Sequence, residues 1–209
     1  MRRKNDQRSE GAEEPERAFL VLTIGHSTRP LEVFIGLLKT HGVKMIVDVR
    51  TVPRSRHNPQ FNLDTLPEAL SSAGVGYEPM PGLGGLRPAR RDSPNKGWRN
   101  SSFRGFADYM QTGEFEKNLG KLIRLARRKR ICLMCAEAVP WRCHRSLIAD
   151  ALQVRGLWVE HIISKSQPQA HHLTPFARVD ETRIIYPPEM ESDLPVSQSD
   201  HKPAPQIKA

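Results

Sequence analysis

The sequence predicts a single-domain α/β fold in three layers, with a mostly parallel sheet of about five strands and helices on both faces. Short apolar runs alternate along the chain with segments in which apolar residues recur at helical spacing. Three helical segments each run into a glycine and then an apolar run, at Gly42, Gly74 and Gly156. A helix that ends at glycine and leads into a strand is typical of parallel α/β units. The length of 209 residues fits one such domain.

The predicted elements follow one another regularly. Strands are expected at 18–25, 43–49, 75–78, 130–137 and 157–163. Helices are expected from Pro30 to His41, at about 63–72, at 103–111 and 115–129 with a break near Thr112, and at about 143–154. Ser27 or Thr28 can cap the first helix, and Pro30 suits its first turn. A long segment rich in Gly, Pro and Arg, 79–102, lies between the third strand and the third helix.

Composition divides the chain into a folded middle, 18–163, and two polar ends. Residues 1–17 carry charges of both signs and no large apolar residue after Met1, so we expect a disordered extension. Residues 164–209 hold seven of the 17 prolines and predict a mostly extended tail, in which Phe176 and the segment 184–186 remain able to pack on the domain. No run approaches the roughly 18 apolar residues of a membrane span, and no apolar leader is present.

Charge and cysteine content indicate the cellular compartment and the kind of partner. The net charge is +9, and residues 20–163 contain 22 basic and 12 acidic side chains. Arginine outnumbers lysine 22 to 10, and its planar fork suits phosphate, although such charge also occurs on ordinary solvated faces. Three cysteines are too few for a disulfide scaffold and favour a reducing, cytoplasmic compartment. We expect a nucleotide or nucleic acid as partner, and no membrane.

The loops after the strands are expected to meet at one edge of the sheet. Right-handed crossovers bring them there, and α/β proteins bind ligands at that edge. His26 follows the first strand and either transfers protons or bonds the backbone at the turn. Asp48 ends a buried strand, where a carboxylate needs a partner, and Arg50 is the nearest one. Arg54 and Arg56 lie on a loop that prolines stiffen and suit a phosphate group.

The cysteine spacing suggests a zinc site at first sight. Cys132 and Cys135 are three residues apart, so their side chains leave opposite faces of a strand. Cys135, Cys143 and His144 remain, one ligand short of a closed structural site, with His26 as the further candidate. We therefore predict no metal.

Cys135 and Cys143 fit an anion or thiol site better. The N-terminus of the helix after Cys143 favours an anion and lowers the pKa of a nearby thiol, and Arg145 adds positive charge. His144 is a candidate base. Cys135 and Glu137 are two residues apart on a predicted strand, so both are expected to face the same cleft.

Five segments together resemble the bacterial and archaeal family called domain of unknown function 488. They are T-I-G-H-S-T-R-P, I-V-D-V-R-T-V-P-R-S-R, Tyr77 with Leu83-Gly84-Gly85, W-R-N with F-R-G-F-A-D-Y-M, and C-A-E-A-V-P-W-R-C-H-R-S-L-I-A. They occur in the family's order over about residues 22–163. The family's most characteristic motif matches Cys135, Glu137, Pro140, Cys143, His144 and Arg145. The resemblance implies a cytoplasmic α/β domain, and the family's name assigns no activity.

Two more distant likenesses suggest candidate reactions. The C-x-E…C-H segment is similar to motifs of proteins related to nucleoside deoxyribosyltransferases, in which a carboxylate acts on a glycosidic bond, and Glu137 is the residue implied here. The D-V-R strand end followed by a later strand, cysteine, loop and helix is similar to rhodanese domains, whose loop runs from cysteine to an arginine five residues on. Here the fifth residue after Cys135 is Pro140, and the first arginine is Arg142.

We therefore expect a basic cleft that accepts phosphate and that binds or acts on a nucleotide or nucleic acid. If the protein is an enzyme, Glu137 is its acid, base or nucleophile and Cys135 the alternative nucleophile, while His26 and His144 transfer protons. The anion site is expected to contain Asp48, Arg50, Arg54, Arg56, Cys143 and Arg145, and the aromatic residues that could stack on bases are Trp98, Phe103 and Trp141. The alternative is Cys-dependent sulfur transfer or redox sensing of the rhodanese type. No cofactor is expected, and the oligomeric state stays open.

Overall fold

A computed structural model describes residues 19–188. Its strands are β1 (Leu20–Gly25), β2 (Met45–Asp48), β3 (Gly76–Pro79), β4 (Ile131–Cys135), β5 (Trp158–Ile162), β6 (Gln169–Ala170), β7 (Arg178–Asp180) and β8 (Arg183–Ile185). Its helices are α1 (Leu31–Thr40), α2 (Leu66–Ser72), α3 (Ser101–Tyr109), α4 (Gly113–Ala126) and α5 (Arg145–Gln153), with short 3-10 turns at Pro59–Phe61, Pro81–Leu83 and Pro140–Arg142. The extension assigned to 1–17 and the tail from residue 189 onward lie outside the described residues.

The strands form a mostly parallel sheet, which confirms the predicted α/β class. The strand order is β3-β2-β4-β1-β5-β6. The first five pair in parallel, and β6 adds a short antiparallel edge next to β5. β7 and β8 form a separate hairpin. The sixth strand of the sheet comes from the segment that composition assigned to the tail.

Helices cover both faces of the sheet, as three-layer packing requires. One face packs against α1 and α2, whose core residues include Phe34, Leu38 and Leu70. The other face packs against α3, α4 and α5, with core residues that include Phe106, Leu119 and Leu147. Side chains of β4 alternate between the two cores, so Cys132 and Met134 face α1 and α2 while Leu133 and Cys135 face the opposite layer.

The helix boundaries agree with the glycine signals but not with the predicted first cap. Gly42, Gly74 and Gly156 have φ of +65°, +74° and +78°, a region that glycine enters without steric cost. The first helix begins at Leu31 after Pro30, and neither Ser27 nor Thr28 caps it. Ser27 itself has a φ of +50°. This residue belongs to the turn that leaves β1, which places it at the sheet edge.

Residues 164–188, assigned by composition to an extended tail, contact the domain. Tyr186 is fully buried, and its hydroxyl donates a hydrogen bond of 2.8 Å to Asp150 Oδ2. Its ring and that of Phe176 pack against Trp98. Burial of large aromatic side chains stabilises such docking despite the surrounding prolines, because each removes much apolar surface from water. Within residues 19–188, no helix combines the length and apolarity needed to cross a bilayer.

Candidate functional site

The strand ends that carry the predicted site residues lie side by side. Gly25 at the end of β1 pairs with Cys135 at the end of β4, and Asp48 at the end of β2 pairs with Met134. β1 and β2 lead to helices on one face of the sheet, whereas β4 leads to α5 on the other. Loops that diverge from adjacent strands in this way open a crevice beyond the strand ends.

A cleft of about 410 Å³ occupies this position. Its lining comes from the loops after β1, β2 and β4: His26, Ser27, Thr28, Arg50, Val52, Arg54, Ser55, Asn58, Ala136, Glu137 and Ala138. Four of the predicted site residues, His26, Arg50, Arg54 and Glu137, therefore lie around one cavity. Its volume falls in the range of small-molecule sites, roughly 300–1,000 Å³.

Arg50 and Asp48 form a buried ion pair beneath the cleft. Arg50 Nη2 lies 2.6 Å from Asp48 Oδ2, and Arg50 Nε donates to both carboxylate oxygens at 2.9 and 3.1 Å. Tyr77 donates from its hydroxyl to Asp48 Oδ2 at 2.6 Å, and Arg50 Nη2 also donates to the Phe61 carbonyl. Burial and the bond to Asp48 raise the pKa of Tyr77. Asp48 thus positions Arg50, and it is not among the residues that line the cleft.

His26 is held as a neutral ring. Its Nδ1 lies 2.8 Å from the Ser27 carbonyl oxygen and therefore carries the proton, while Nε2 accepts from Arg50 Nη1 at 3.2 Å. The ring also stacks on Phe61 at 4.3 Å between centroids. Burial lowers the pKa of His26 to about 4, and the neighbouring Arg50 charge adds to this although the Ser27 bond opposes it. Both ring nitrogens are thus engaged, and the Nε2 contact helps to position Arg50.

Glu137 and Arg54 supply the exposed charges of the cleft. Both side chains are exposed. Within residues 19–188, neither makes a side-chain hydrogen bond or an ion pair. Arg56 is exposed on the same loop but is not among the lining residues. The cleft therefore presents one carboxylate and one guanidinium that are available to a ligand.

The loop that carries Glu137 packs tightly on the end of β1. The backbone amides of His26 and Ser27 donate to the carbonyls of Cys135 and Ala136, both at 2.9 Å. A Cβ added to Gly25 would lie 1.7 Å from the Glu137 carbonyl oxygen. Only glycine allows this approach, so Gly25 sets the position of the 136–138 wall.

Cys135, Cys143 and His144 form a second group, called here the thiol cluster, on the α3–α5 side of β4. Their ligand atoms all lie within 4.8 Å of one another, and His144 Nδ1 is 4.0 Å from Cys135 Sγ and 3.8 Å from Cys143 Sγ. The two cysteines are only 7% and 3% exposed, and all three cysteines of the chain are free thiols. The interaction between Cys135 and Cys143 raises the pKa of Cys135 and lowers that of Cys143, and burial strengthens the first effect while opposing the second.

Two further contacts fix the orientation of the thiol cluster. His144 Nε2 lies 3.1 Å from the Val49 carbonyl oxygen, so Nε2 carries the proton and the Nδ1 lone pair faces the sulfurs. Arg145, 1% exposed, donates from Nε to Cys143 Sγ at 3.4 Å and from Nη2 to the Glu137 carbonyl at 2.7 Å. Arg145 is therefore enclosed between the thiol cluster and the cleft wall and does not line the cleft.

Cys135 and Glu137 do not share a cleft, in contrast to the expectation from their spacing. β4 ends at Cys135, so strand alternation does not continue to Glu137. Glu137 lines the cleft, while Cys135 packs in the core of the opposite layer. The strand boundary, which local sequence locates only within a residue or two, decides this separation.

The predicted base-stacking residues also separate. Trp98 and Phe103 pack on each other and Trp98 contacts Phe176 and Tyr186, so both belong to the aromatic core under the C-terminal segment. Trp141 is 63% exposed. It borders a different cavity, beside His171 and Phe176, rather than the cleft.

Sequence reasoning missed several contributors to both groups. Ser27, Ser55 and Asn58 line the cleft, and the Val49 carbonyl and Gly85 border the thiol cluster. The clustering of small polar residues beside His26 and Arg54 was a usable signal for the first three. A backbone carbonyl gives no signal in the sequence, because every residue has one.

Comparison with known proteins gives one match. The family model described as domain of unknown function DUF488 matches residues 30–152, more than half of the chain. No curated protein and no solved structure matches significantly.

Proposed function

The chain belongs to the DUF488 family, and we propose that it binds a nucleotide or nucleic acid through phosphate in the cleft after β1, β2 and β4 and acts on it through Glu137. The observation that carries the proposal is the pairing of an exposed guanidinium, Arg54, with an exposed carboxylate, Glu137, on one cavity of about 410 Å³.

The phosphate end of the cleft is assigned to the loop after β2. Arg54 provides a charged fork, and the hydroxyls of Ser27 and Ser55 provide neutral donors. Arg50 lies beneath them with its charge compensated by Asp48, so it holds the loop rather than adding a free cation. The Ser55 amide donates to Asn62 Oδ1, so the backbone of this loop is already held and loses little freedom on binding, which favours affinity.

Glu137 is the residue assigned to the reaction. It is exposed in the cleft wall, and Gly25 and Arg145 hold its backbone while its carboxylate stays free of partners within the described residues. Such a carboxylate is able to act as a nucleophile or general base toward a bound nucleotide. We therefore assign the proposed reaction to the hydrolases or transferases, with the glycosidic bond as the candidate target.

Sulfur transfer is less well supported by the geometry. A transferring thiol must meet its donor and acceptor, yet Cys135 and Cys143 are almost fully buried and Cys135 lies outside the cleft. The short anion-cradling loop from cysteine to arginine is also replaced by a 3-10 turn at Pro140–Arg142.

The proposal is tested by titrating the full chain with inorganic phosphate, 5′-mononucleotides and short single-stranded oligonucleotides at low salt. Arg54→Gln should weaken binding by about tenfold, since a hydrogen bond to a charged group contributes about 1.5 kcal/mol or more. The matched control is Arg128→Gln, because Arg128 is exposed just before β4, at the opposite end of the strands. Equal losses of affinity in the two variants would contradict the assignment of the ligand to the cleft.

The ligand series also separates the free nucleotide from the polymer. A polymer held by its backbone binds with an affinity that falls steeply with salt, and replacing Arg90, Arg91 and Arg99 together should lower that slope by about 2 for single strands. A mononucleotide held in the cleft should be unaffected by that triple replacement. Glu137→Gln should abolish turnover of any ligand that binds, and absence of binding by every ligand tested would overturn the proposal.

A further inference from the structure

We propose that the thiol cluster is a zinc site, in which Cys135 Sγ, Cys143 Sγ and His144 Nδ1 are the three protein ligands and a non-protein ligand such as water takes the fourth position. This assignment is independent of the proposed nucleotide chemistry. The sequence predicted no metal because spacing alone left the site one ligand short.

The separations of the three atoms match tetrahedral coordination. With Zn–S bonds of about 2.3 Å and a Zn–N bond of about 2.0 Å, tetrahedral angles place sulfur and nitrogen about 3.5 Å apart and the two sulfurs about 3.8 Å apart. Here Nδ1 lies 4.0 and 3.8 Å from the sulfurs, and all three atoms lie within 4.8 Å. Side-chain movements of a few tenths of an ångström up to about 1 Å would bring them to bonding distance.

The surroundings already orient the ligands. A zinc-bound histidine usually donates its other ring N–H to a carbonyl or carboxylate, which fixes the tautomer and the ring plane. The Val49 carbonyl receives that bond from His144 Nε2 and leaves the Nδ1 lone pair toward the sulfurs. Arg145 Nε donates to Cys143 Sγ at 3.4 Å, a contact of the kind that stabilises a metal-bound thiolate.

Gly85 allows the imidazole of His144 to pack closely against the backbone. A Cβ at this position would lie 2.4 Å from His144 Nδ1. A larger residue at position 85 would therefore displace the imidazole, so glycine is needed to hold Nδ1 beside the two sulfurs.

The donor atoms indicate the class of metal, and the surrounding residues leave one coordination position without a protein ligand. Two sulfurs and an imidazole favour Zn²⁺ over Mg²⁺ or Ca²⁺, which prefer oxygen. His26 does not complete the set, because Ser27 and Arg50 engage both of its nitrogens. Cys132 faces the other core. Within residues 19–188 no further cysteine, histidine or acidic side chain joins the group, which leaves three protein ligands as in catalytic rather than structural zinc sites.

The test is metal content of the full chain, purified under reducing conditions after exposure to Zn²⁺ and gel filtration. We expect one zinc per chain, lost in Cys143→Ser and His144→Ala and reduced in Gly85→Ala. Cys132→Ala is the matched control and should retain the metal, since it removes a buried thiol from the other side of the same strand. Reconstitution of the unaltered chain with Co²⁺ should give the intense visible absorption of a tetrahedral thiolate site, a readout that needs no variant to fold.

Two results would overturn the assignment. One is an unaltered chain that stays metal-free and shows no thiolate–Co²⁺ spectrum, with all thiols still titrating as free. The other is loss of metal from Cys132→Ala to the same degree as from Cys143→Ser while circular dichroism shows both folded. Nucleotide binding with the Arg54→Gln and Arg128→Gln pair is read separately, so failure of either proposal leaves the other standing.

Discussion

Arg145 donates a hydrogen bond of 2.7 Å from Nη2 to the carbonyl oxygen of Glu137, and this bond joins the two groups of candidate functional side chains. The same guanidinium reaches Cys143 Sγ through Nε. The backbone of Glu137 is thus held from one side by Arg145 and from the other by the close approach of Gly25. The loop after β4 forms the cleft wall and is linked through Arg145 to the thiol cluster. Replacing Arg145 or Gly25 should therefore affect both groups.

Replacing Arg145 tests that anchor. Arg145→Lys keeps the charge but lacks the planar fork that serves two acceptors at fixed angles. We expect faster amide hydrogen exchange at residues 136–139 and weaker nucleotide binding. Arg155→Lys is the control, because Arg155 pairs with Glu116 away from the cleft, and its exchange pattern over 136–139 should be that of the unaltered chain. Unchanged exchange in Arg145→Lys would mean that the bond does not hold the loop.

Gly25→Ala should displace the loop that carries Glu137. The added methyl would meet the Glu137 carbonyl oxygen at 1.7 Å, so either β1 or the loop must move, at a cost of about 1–3 kcal/mol. Urea unfolding measures the loss, and a nucleotide titration should show weaker binding. Gly36→Ala is the matched variant, since open space surrounds Gly36 within α1 and alanine favours a helix by about 1 kcal/mol. Equal stability of the two variants would contradict the packing.

The stability of the fold should depend on pH through His26. Its pKa in the folded chain is lowered to about 4, whereas an unfolded histidine titrates near 6.5. The unfolded state therefore binds more protons between these values. The stabilisation is complete above about pH 6.5 and is lost as the pH falls toward 4, on the order of 3 kcal/mol in all.

His26→Gln isolates this contribution, because glutamine does not titrate and other groups remain. Unfolding free energies measured in urea from pH 4 to 7 should rise less steeply with pH in the variant, by up to one proton. Parallel curves for the two proteins would show that His26 is not held neutral.

Tyr186→Phe should show that the segment before residue 188 is part of the folded domain. The change removes the donor to Asp150 Oδ2, a carboxylate that is fully buried and also bonded by His171 and Thr174. Loss of one bond to a buried acceptor costs about 1–3 kcal/mol. Val179→Ala, at a half-exposed position of β7, should stay within about 0.5 kcal/mol of the unaltered chain. Limited proteolysis should yield a fragment that retains Tyr186, and cleavage near 165 with full stability would refute the docking.

The order and type of the main elements were predictable from local pattern. Apolar runs such as 130–137 and glycines such as Gly74 mark strands and helix ends through side-chain periodicity and backbone conformation, both local properties. Parallel connection then brought His26, Arg50, Arg54 and Glu137 to one sheet edge, since right-handed crossovers leave little choice of edge.

Tertiary structure decided which of those residues are available and which are held. Asp48 pairs with Arg50 and compensates its charge, and both nitrogens of His26 are occupied, because hydrogen-bond partners depend on chain segments distant in sequence. The end of β4 at Cys135 sends Glu137 and the thiol cluster to different sides of the sheet. The lone pair of His144 faces the sulfurs only because Val49, 95 residues away, offers its carbonyl. Sequence pattern therefore determined the fold and the edge that carries the site, whereas long-range hydrogen bonds and packing determined the role that each side chain is able to take.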